Sequence, residues 1–422
     1  MKTIHRLYIV FFVCMVVNLS FLYAQSMLKL SVSQADSLFM SRNFLLLAKK
    51  FEVLAQKSLV YQAKLWDNPS AYLEQIIYNP LTNRYLDMSY KGEYLVQVQQ
   101  LLYTAGKRNK RIQLAMLQHQ MSVFEFNFLM AQLKYELHSA FYTLAYQKKL
   151  YKIFSDEIND LAIIVQLYQE QFEKGNISLK EVFRLKSLLF NIQSSQNDLY
   201  NQIAEQEKIL GALLGLSGNI EIQPEVGEVS LFDEQSINLT ALIDTALNYR
   251  MDYLLAKYNV EYQRAYLNLQ KALAVPDIKL GYSFDKAGNM VDNYSGISIG
   301  IDLPFFNLNQ GQIRYAENIH KMAEYELKQK ELEIQQEIRK TYSVLVKTKF
   351  LLENTQKDFL TNFDNIKDGM QNNFKKRNIS VLEYADFFES YINSSQQYYQ
   401  LLIQYHLQKE QFNFNIGKTL LK

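Results

Sequence analysis

Histidines are the first residues in this sequence that could do chemistry, because a neutral imidazole can bind a metal or transfer protons near pH 7. Beyond residue 24 the histidines are His119, His138, His320 and His406. None lies at a metal-ligand spacing from a cysteine or a second histidine. All four fall in segments with a helical pattern. We therefore interpret them as packing or surface residues and expect no metal site.

Catalytic motifs are also absent from the sequence. We find no nucleophile motif and no paired histidine and carboxylate set. Gly296 and Gly300 do not form a nucleotide fingerprint, because no helix begins after them. The sequence predicts a protein that is not an enzyme and has no cofactor.

The charge of the chain argues against a nucleic-acid partner. Its 422 residues include 45 Lys and Arg against 43 Asp and Glu, a net charge of +2. Affinity for a phosphate backbone depends on an excess of basic side chains. We therefore expect no binding to nucleic acid.

The first 24 residues have the pattern of a secretory signal peptide. Lys2 and Arg6 precede an apolar run over residues 7–17. A membrane anchor is the alternative, but Asn18 and Ser20 interrupt the run short of the ~20 apolar residues that a span needs. Cleavage is expected after Ala24 or close to it.

Cysteine chemistry and membrane helices are both lacking after that segment. Cys14, the only cysteine, lies in the apolar run, so stability must come from packing and association. No later apolar run approaches the length of a membrane helix. Any membrane crossing would therefore use β-strands that close into a barrel.

The rest of the chain repeats itself, which indicates two structural copies. We place the first repeat at 25–215, an acidic connector at 216–240 and the second repeat at 241–422. Near the start of each copy the matched pairs are Arg42 and Arg250, Leu45 and Tyr253, Leu46 and Leu254, and Ala48 and Ala256. Later they are Phe172 and Phe374, Asn176 and Asn378, Ile177 and Ile379, Ser178 and Ser380, and Glu181 and Glu383.

Each copy opens with a helical pattern of roughly 33 residues. In the first copy it begins near Ser33, whose hydroxyl could share the capping of the free amides with the Asp36 carboxylate. Pro69 and Pro276 cannot continue a helix, so we expect them to end these segments.

Strands with one apolar face follow each proline. The alternation is clear in Ile278, Leu280, Tyr282 and Phe284, in Ile297, Ile299 and Ile301, and in Tyr94, Val96 and Val98. Aromatic residues near the strand ends suit the interfacial girdle of a barrel. These are Tyr78, Tyr90, Tyr282 and Tyr294.

A long helix follows the strands in each copy. From Gly106 to Gly175 it would be about 100 Å long, and the second copy repeats it from Gly311 to Arg377. The opening and returning helices are each about half that length, so stacked end to end they match it. Apolar positions with a period near 3.5 favour antiparallel coiled packing. The predicted fold is mainly α, a rod of long coiled-coil helices with four strands at one end.

Four strands cannot seal a membrane crossing alone, so the chain is expected to pool them with other copies. A dimer would supply eight strands and a trimer twelve. The sequence pattern alone does not distinguish a dimer from a trimer.

These landmarks together resemble the TolC-like outer-membrane efflux family. The resemblance rests on the prolines Pro69 and Pro276, on the strand exits Leu303-Pro304-Phe305 to Gly311 and Leu101-Leu102-Tyr103 to Gly106, and on the paired turns Phe172 to Glu181 and Phe374 to Asp386. It covers nearly all of the chain after the signal peptide.

The resemblance implies a homotrimer in the outer membrane of a Gram-negative bacterium. It further implies a shared twelve-stranded β-barrel, an α-barrel tunnel across the periplasm, and a tip that docks an adaptor protein and an inner-membrane transporter. The function would be that of a passive channel in a tripartite efflux or type I secretion system. The cargo stays open between drugs, metal ions and polypeptides.

The resemblance also implies the site residues. Glu181, Glu383 and Asp386 match the acidic ring at the tunnel entrance, where clustered carboxylates would attract cations. The alternative is that these are ordinary solvated helix charges. The adaptor-docking turns are Gly175, Asn176, Ile177 and Ser178, and Arg377, Asn378, Ile379 and Ser380. The barrel-to-helix transitions are Pro69, Gly106, Pro276, Pro304 and Gly311.

This chain departs from the family pattern at three positions. Arg377 stands where the first copy keeps Gly175, Leu102 where the second keeps Pro304, and Lys180 beside the first acid. The alternative function is a periplasmic coiled-coil adaptor or scaffold that never inserts into a membrane. It would explain the long helices but not the strands with one apolar face. A secreted hydrolase is a third reading, and it lacks a catalytic site.

Overall fold

The structure, a computed structural model, describes residues 26–218, 220–234, 237–287, 291–355 and 359–421. The predicted signal peptide, residues 1–24 with Cys14, lies outside the described residues. The chain forms two compact units. Unit 1 comprises the residues up to 47, 130–242 and 337–422, and unit 2 comprises 48–129 and 243–336. Each unit therefore takes residues from both predicted repeats.

Helices make up most of the described chain. In order they are α1 (Val32–Arg42), α2 (Phe44–Ala63), α3 (Lys107–Glu173), α4 (Leu179–Leu213), α5 (Leu239–Tyr249), α6 (Met251–Leu273), α7 (Gln310–Asn354), α8 (Phe359–Lys375) and α9 (Val381–Ile416). Among the described residues, no helix combines the length and apolar character needed to cross a membrane.

The opening helix of each copy is interrupted, where the sequence pattern predicted one continuous helix. In the first copy the break is Asn43, whose side chain accepts a hydrogen bond from the Leu46 amide (2.9 Å) and donates one to the Leu213 carbonyl (3.0 Å). A side-chain cap of this kind competes with continuation of the helix. In the second copy the interruption is Arg250, between α5 and α6.

The first helix begins at a different cap from the predicted one. Ser31, not Ser33, is the N-cap: its amide donates to Gln34 Oε1 (2.9 Å), and its hydroxyl accepts from the Gln34 amide (3.4 Å). This reciprocal pair is a capping box. Asp36 takes no part in it.

The long helix of the first copy is confirmed. α3 has 67 residues, about 100 Å at the usual rise per residue. The second copy differs from the prediction, because α7 ends at Asn354 and α8 begins at Phe359, with 356–358 outside the described residues. Asn354 and Thr355 are poor helix formers, and the Thr355 hydroxyl donates to the Leu351 carbonyl (2.8 Å).

The returning helices, α4 with 35 residues and α9 with 36, are about half as long as α3, as predicted. Along α4 the buried side chains include Leu185, Ile192, Leu199, Ile203 and Leu210. Their steps of seven and four residues place them on one stripe, as in coiled packing.

Within the described residues, the strands form one main sheet and two small ones. They are β1 (Ser26–Leu30), β2 (Ser70–Gln75), β3 (Tyr78–Asn79), β4 (Arg84–Tyr85), β5 (Tyr94–Leu102), β6 (Ile220–Pro224), β7 (Ile278–Ala287) and β8 (Asp292–Ile301). The main sheet is antiparallel in the order β2-β5-β7-β8. The two predicted strand pairs thus lie in a single sheet.

The register of that sheet confirms that the strands have one apolar face. Residues opposite each other on paired strands share a face. One face carries the rows Leu73-Val96-Phe284 and Val98-Tyr282-Ile297. The other carries Gln97-Ser283-Gly296 and Gln99-Gly281-Ser298.

The acidic connector takes part in unit 1. Its strand β6 pairs in parallel with β1, and Lys148 Nζ lies 3.0 Å from the Glu221 carboxylate. Val226, Leu231 and Phe232 pack against the buried cluster around Tyr405 and Phe412. The connector is therefore held to the helices both by its apolar residues and by the ion pair of Glu221 with Lys148.

Candidate functional site

The first candidate turn, residues 174–178, joins α3 to α4. Gly175 has φ +75°, and its amide donates to the Phe172 carbonyl (2.8 Å). The Asn176 amide reaches back to the Gln171 carbonyl (2.9 Å). These two bonds around a left-handed residue form a Schellman motif, which satisfies the free carbonyls at a helix end.

The second candidate turn, residues 376–380, joins α8 to α9 in the same way. Arg377 occupies the left-handed position with φ +60°, and its amide donates to the Phe374 carbonyl (2.9 Å). The Asn378 amide donates to the Asn373 carbonyl (2.9 Å). Arginine at this position therefore leaves the backbone motif unchanged, although a left-handed non-glycine residue is strained.

Serine caps begin the helix after each turn. Ser178 is the N-cap of α4, and its amide donates to Glu181 Oε2 (2.9 Å). Ser380 is the N-cap of α9, and its amide donates to Glu383 Oε2 (2.8 Å). Both are complete capping boxes. Ile177 and Ile379 precede the caps and are half-buried.

The three predicted ring acids have local partners. Glu181 and Glu383 cap their own helices, and the hydrogen bonds from the Ser380 amide and hydroxyl lower the pKa of Glu383. Asp386 Oδ1 lies 2.8 Å from Arg184 Nη2, in an exposed ion pair between α4 and α9. Since the ring would form between copies of the chain, it stays a prediction.

Aromatic packing distinguishes the second turn. Phe374 is buried and stacks on Tyr168 of α3, with ring centroids 5.2 Å apart, and on Tyr384 of α9 at 4.2 Å. Sequence reasoning missed this stack, because the three rings come from three helices. In the sequence, the only indication that these rings are buried was the periodic spacing of apolar residues along each helix.

Three of the predicted transition residues lie near the ends of the strands. Pro69 was expected to end the opening helix, but α2 already ends at Ala63 and Pro69 directly precedes β2. Just beyond that end, the Arg108 guanidinium donates to the Lys64 carbonyl and lies 4.8 Å from the centre of the Trp66 ring. Pro276 precedes β7, and Gly106, with φ +68°, directly precedes α3.

The other two transition residues flank the connection from β8 to α7. Pro304 follows β8, as expected. Gly311 lies inside α7, whereas Asn309 is the left-handed residue before it, with φ +60°. The Asn309 amide group donates to the carbonyl of Gln270 (2.8 Å), and asparagine tolerates this conformation better than most residues. Gly311 is therefore the second residue of α7, at the predicted transition, and the left-handed residue of this connection is Asn309.

An ion pair that was not predicted from the sequence, Lys107 with Asp277, connects the start of α3 to the residue before β7. The Lys107 side chain is buried, and its Nζ lies 2.7 Å from Asp277 Oδ1 and 2.6 Å from the Val275 carbonyl. Burial alone would raise the pKa of Asp277, but Lys107 and the Thr104 amide together lower it. Nothing in the sequence around Lys107 or Asp277 indicates that they pair. The fold brings these two distant residues together.

His138 has an ionic role in unit 1. Its Nε2 lies 2.9 Å from Asp36 Oδ1, and its Nδ1 lies 2.9 Å from Glu410 Oε2. Burial alone would lower the pKa of His138, but the two carboxylates outweigh it and raise the pKa to about 9. The imidazolium therefore donates from both nitrogens. A cavity of about 330 Å³ lies beside it, lined by Lys134 and Lys409 among others.

His406 is the opposite case. Tyr142 stacks on its ring at 4.1 Å, and the Tyr146 hydroxyl lies 3.0 Å from Nε2. Burial lowers the pKa of His406 to about 3, so its imidazole is neutral. Within the part of the chain that the structure describes, no group of His, Cys, Asp and Glu side chains could hold a metal ion.

Comparison with known proteins identifies the fold by similarity of structure, not of sequence. No protein-family model matches the chain, and no curated protein matches its sequence. Solved structures do match along nearly the whole chain. The fold is that of the TolC-like outer-membrane efflux channels.

Three solved structures illustrate the match. The CmeC outer membrane channel of Campylobacter jejuni aligns with a TM-score of 0.76 and 13% identity, covering 93% of this chain and 87% of that chain. The outer membrane protein VceC of Vibrio cholerae gives 0.73 and 15%, covering 92% and 96%. The MtrE outer membrane channel of Neisseria gonorrhoeae gives 0.69 and 11%, covering 92% and 89%.

Proposed function

We propose that this protein is a subunit of a homotrimeric outer-membrane channel, a passive conduit from the periplasm to the exterior. The observation that carries the proposal is the sheet β2-β5-β7-β8, which has one apolar face and is attached to very long helices. Solved outer membrane channels share this fold.

The open edges of the sheet support assembly with other copies. Among the described strands, β2 and β8 each pair on one side only. An unpaired edge in lipid leaves amides and carbonyls without partners, at a cost of several kcal/mol per group. Pairing β2 of one copy with β8 of the next removes both edges. Three copies would give a barrel of twelve strands, and the number three rests on the resemblance.

The helices and turns suit a periplasmic tunnel with a docking end. Asn176, Ser178, Arg377 and Asn378 are exposed, and the backbone amide of each donates a hydrogen bond to a residue three to five positions away. A rigid, exposed turn can be recognised by a partner at little cost in ordering. We assign to these turns the docking of a periplasmic adaptor protein, with an inner-membrane transporter supplying the energy for export.

Membrane fractionation tests the proposal. We expect the protein in the outer-membrane fraction as a trimer that resists dissociation in detergent until it is heated. A soluble monomer in the periplasmic fraction would contradict the channel and support the coiled-coil adaptor or scaffold. The sheet argues against that alternative, because a soluble protein has no use for an open apolar face of this size.

Planar-bilayer recording tests the acidic ring. The double variant Glu383→Gln with Asp386→Asn removes two charges, and glutamine can still serve in a capping box. We expect lower selectivity for cations, because the carboxylates would concentrate them at the entrance. Glu205→Gln, an exposed residue further along α4, is the matched control. Unchanged selectivity in the double variant would mean that these acids are ordinary solvated charges.

A further inference from the structure

The connection between β2 and β5, residues 76–93, differs from its counterpart in the second copy. Only four residues, 288–291, separate β7 from β8 in the sequence, whereas the connection from β2 to β5 carries its own small hairpin, β3 with β4. An extension on one strand pair alone is not needed to complete the sheet. It therefore calls for a separate explanation.

Hydrogen bonds inside the connection give it a fixed structure. Asp87 is buried, and its carboxylate accepts from Asn79 Nδ2 (3.1 Å), from the Ser89 amide (3.0 Å) and from the Thr82 hydroxyl. Asn79 Nδ2 also donates to the Lys91 carbonyl (2.8 Å). These bonds satisfy the Asp87 carboxylate and the Asn79 side-chain amide within the connection itself.

Large apolar side chains point away from this fixed core. Their exposed fractions are 73% for Ile77, 82% for Leu81, 76% for Tyr85, 61% for Leu86, 68% for Met88 and 81% for Tyr90. So many exposed apolar side chains within one short segment mark a surface that another phase or molecule covers.

The chemistry of the exposed groups fits the boundary of a lipid bilayer. Tyrosines and aliphatic side chains mixed with cations are typical of residues at the level of the lipid headgroups. Arg84 and Lys91 supply the cations, and Lys91 Nζ lies 5.6 Å from the centre of the Tyr90 ring. The connection contains two acids. Asp87 is buried, and Glu93 is exposed and directly precedes β5.

The connection also continues the apolar face of the sheet. β2 ends at Gln75, directly before Ile76 and Ile77, and Leu73 belongs to the apolar rows. If that face meets the acyl chains, the connection begins where the bilayer interface must lie. The helices attach at the opposite ends of the strands, so this interface belongs to the outer leaflet.

We propose that residues 76–93 form a lipid-binding anchor that lies on the outer leaflet, with Leu81 and Met88 in the acyl boundary and Arg84 and Lys91 at the headgroup phosphates. This proposal rests on the proposed function, which places the strands in the membrane. By lying on the outer leaflet, the anchor determines how deep the sheet lies in the bilayer.

Tryptophan quenching in lipid vesicles tests the anchor. Trp66 is the only tryptophan, so Trp66→Phe gives a silent background. On it, Leu81→Trp and Met88→Trp report the anchor, Ile299→Trp reports the apolar face of β8, and Lys180→Trp on α4 reports water. Each protein is reconstituted into vesicles of phosphatidylcholine and phosphatidylglycerol whose acyl chains are brominated, and aqueous iodide is added in a parallel experiment.

We expect brominated lipid to quench the Leu81→Trp and Met88→Trp variants to an extent similar to Ile299→Trp, and to leave Lys180→Trp unchanged. Quenching of the anchor variants by iodide alone would place the connection in water, and quenching by neither reagent would place it against another protein copy. Both results overturn the anchor. Loss of lipid quenching in Ile299→Trp would instead overturn the proposed function.

Discussion

The two helix-to-helix turns have the same backbone and different packing. Each has a left-handed residue, a Schellman motif and a serine cap with a glutamate partner. In the second turn Phe374 is only 2% exposed and lies between two aromatic rings. Phe172, its counterpart in the first turn, is half-buried, and Val182 stands where the second turn has Tyr384.

This difference shows which properties a short sequence motif can specify. The turn itself depends on bonds between residues at most five apart, so a repeated motif gives a repeated backbone. The packing depends on helices that are distant in the sequence. The two turns can therefore share a shape while differing in how firmly each is held.

The largest expected difference concerns the paired phenylalanines. Phe374→Ala should lower the free energy of unfolding by about 3–5 kcal/mol, because it leaves a cavity between Tyr168 and Tyr384. Phe172→Ala should cost only about 1–2 kcal/mol, since the side chain is already partly in water. Guanidinium denaturation of the purified protein measures both. Equal losses would mean that the aromatic stack adds nothing.

The serine caps should show no difference between the turns. Ser178→Ala and Ser380→Ala each remove the side chain that accepts from the third residue of the helix, and each should cost about 1 kcal/mol. The same denaturation experiment applies, with Ser178→Thr and Ser380→Thr as variants that keep the cap. A large loss in one turn alone would break the equivalence of the two motifs.

The left-handed positions should respond in opposite directions. Gly175→Ala should destabilise by about 1 kcal/mol through backbone strain alone, because among the described residues, its two chain neighbours aside, no atom lies within 4 Å of the added Cβ. Arg377→Gly should relieve strain and stabilise by up to about 1 kcal/mol. The readout is the thermal midpoint in detergent. Stabilisation by both substitutions would contradict the left-handed conformation.

The smallest effect is the pH dependence of the second cap. The pKa of Glu383 is lowered from 4.5, so its contribution to stability is present above pH 4.5 and is lost as pH falls through the lowered value. Amide hydrogen exchange at 381–384, compared between pH 7 and acid after correction for intrinsic rates, should show lost protection. In the Glu383→Gln variant that loss should disappear. Protection independent of pH in the parent would contradict the cap.

Local signals were sufficient for the parts of the fold that depend on neighbours in sequence. The extent of α3 and the alternation in β7 and β8 follow from periodicity, and the positions of the two turns follow from the repeated motif. The break at Asn43 did not, because its cap is completed by Leu213 from another helix.

The same limit applies to the buried charges. Lys107 with Asp277, and His138 between Asp36 and Glu410, join residues far apart in the chain, and a single sequence has no signal for such pairs. The end of α7 was missed for a different reason, since Asn354 and Thr355 only weaken a helix and no proline marks the position.

The shared barrel is the central claim, and disulfide cross-linking between edge strands tests it most directly. Leu73→Cys in β2 is combined in turn with Ser295→Cys, Ile297→Cys or Ile299→Cys in β8, in a chain whose only cysteine lies in the predicted signal peptide. Within one chain β5 and β7 separate these strands by roughly 14 Å, too far for a disulfide. Tyr72→Cys, on the other face of β2, is the control partner for Ile297→Cys.

On oxidation in outer membranes, at least one pairing should give cross-linked dimers and trimers and no larger species, while the Tyr72→Cys control should not. A ladder that ends at three copies is the result expected for a closed trimeric barrel. Monomer alone in every pairing, or a ladder that continues beyond three, would contradict the shared barrel.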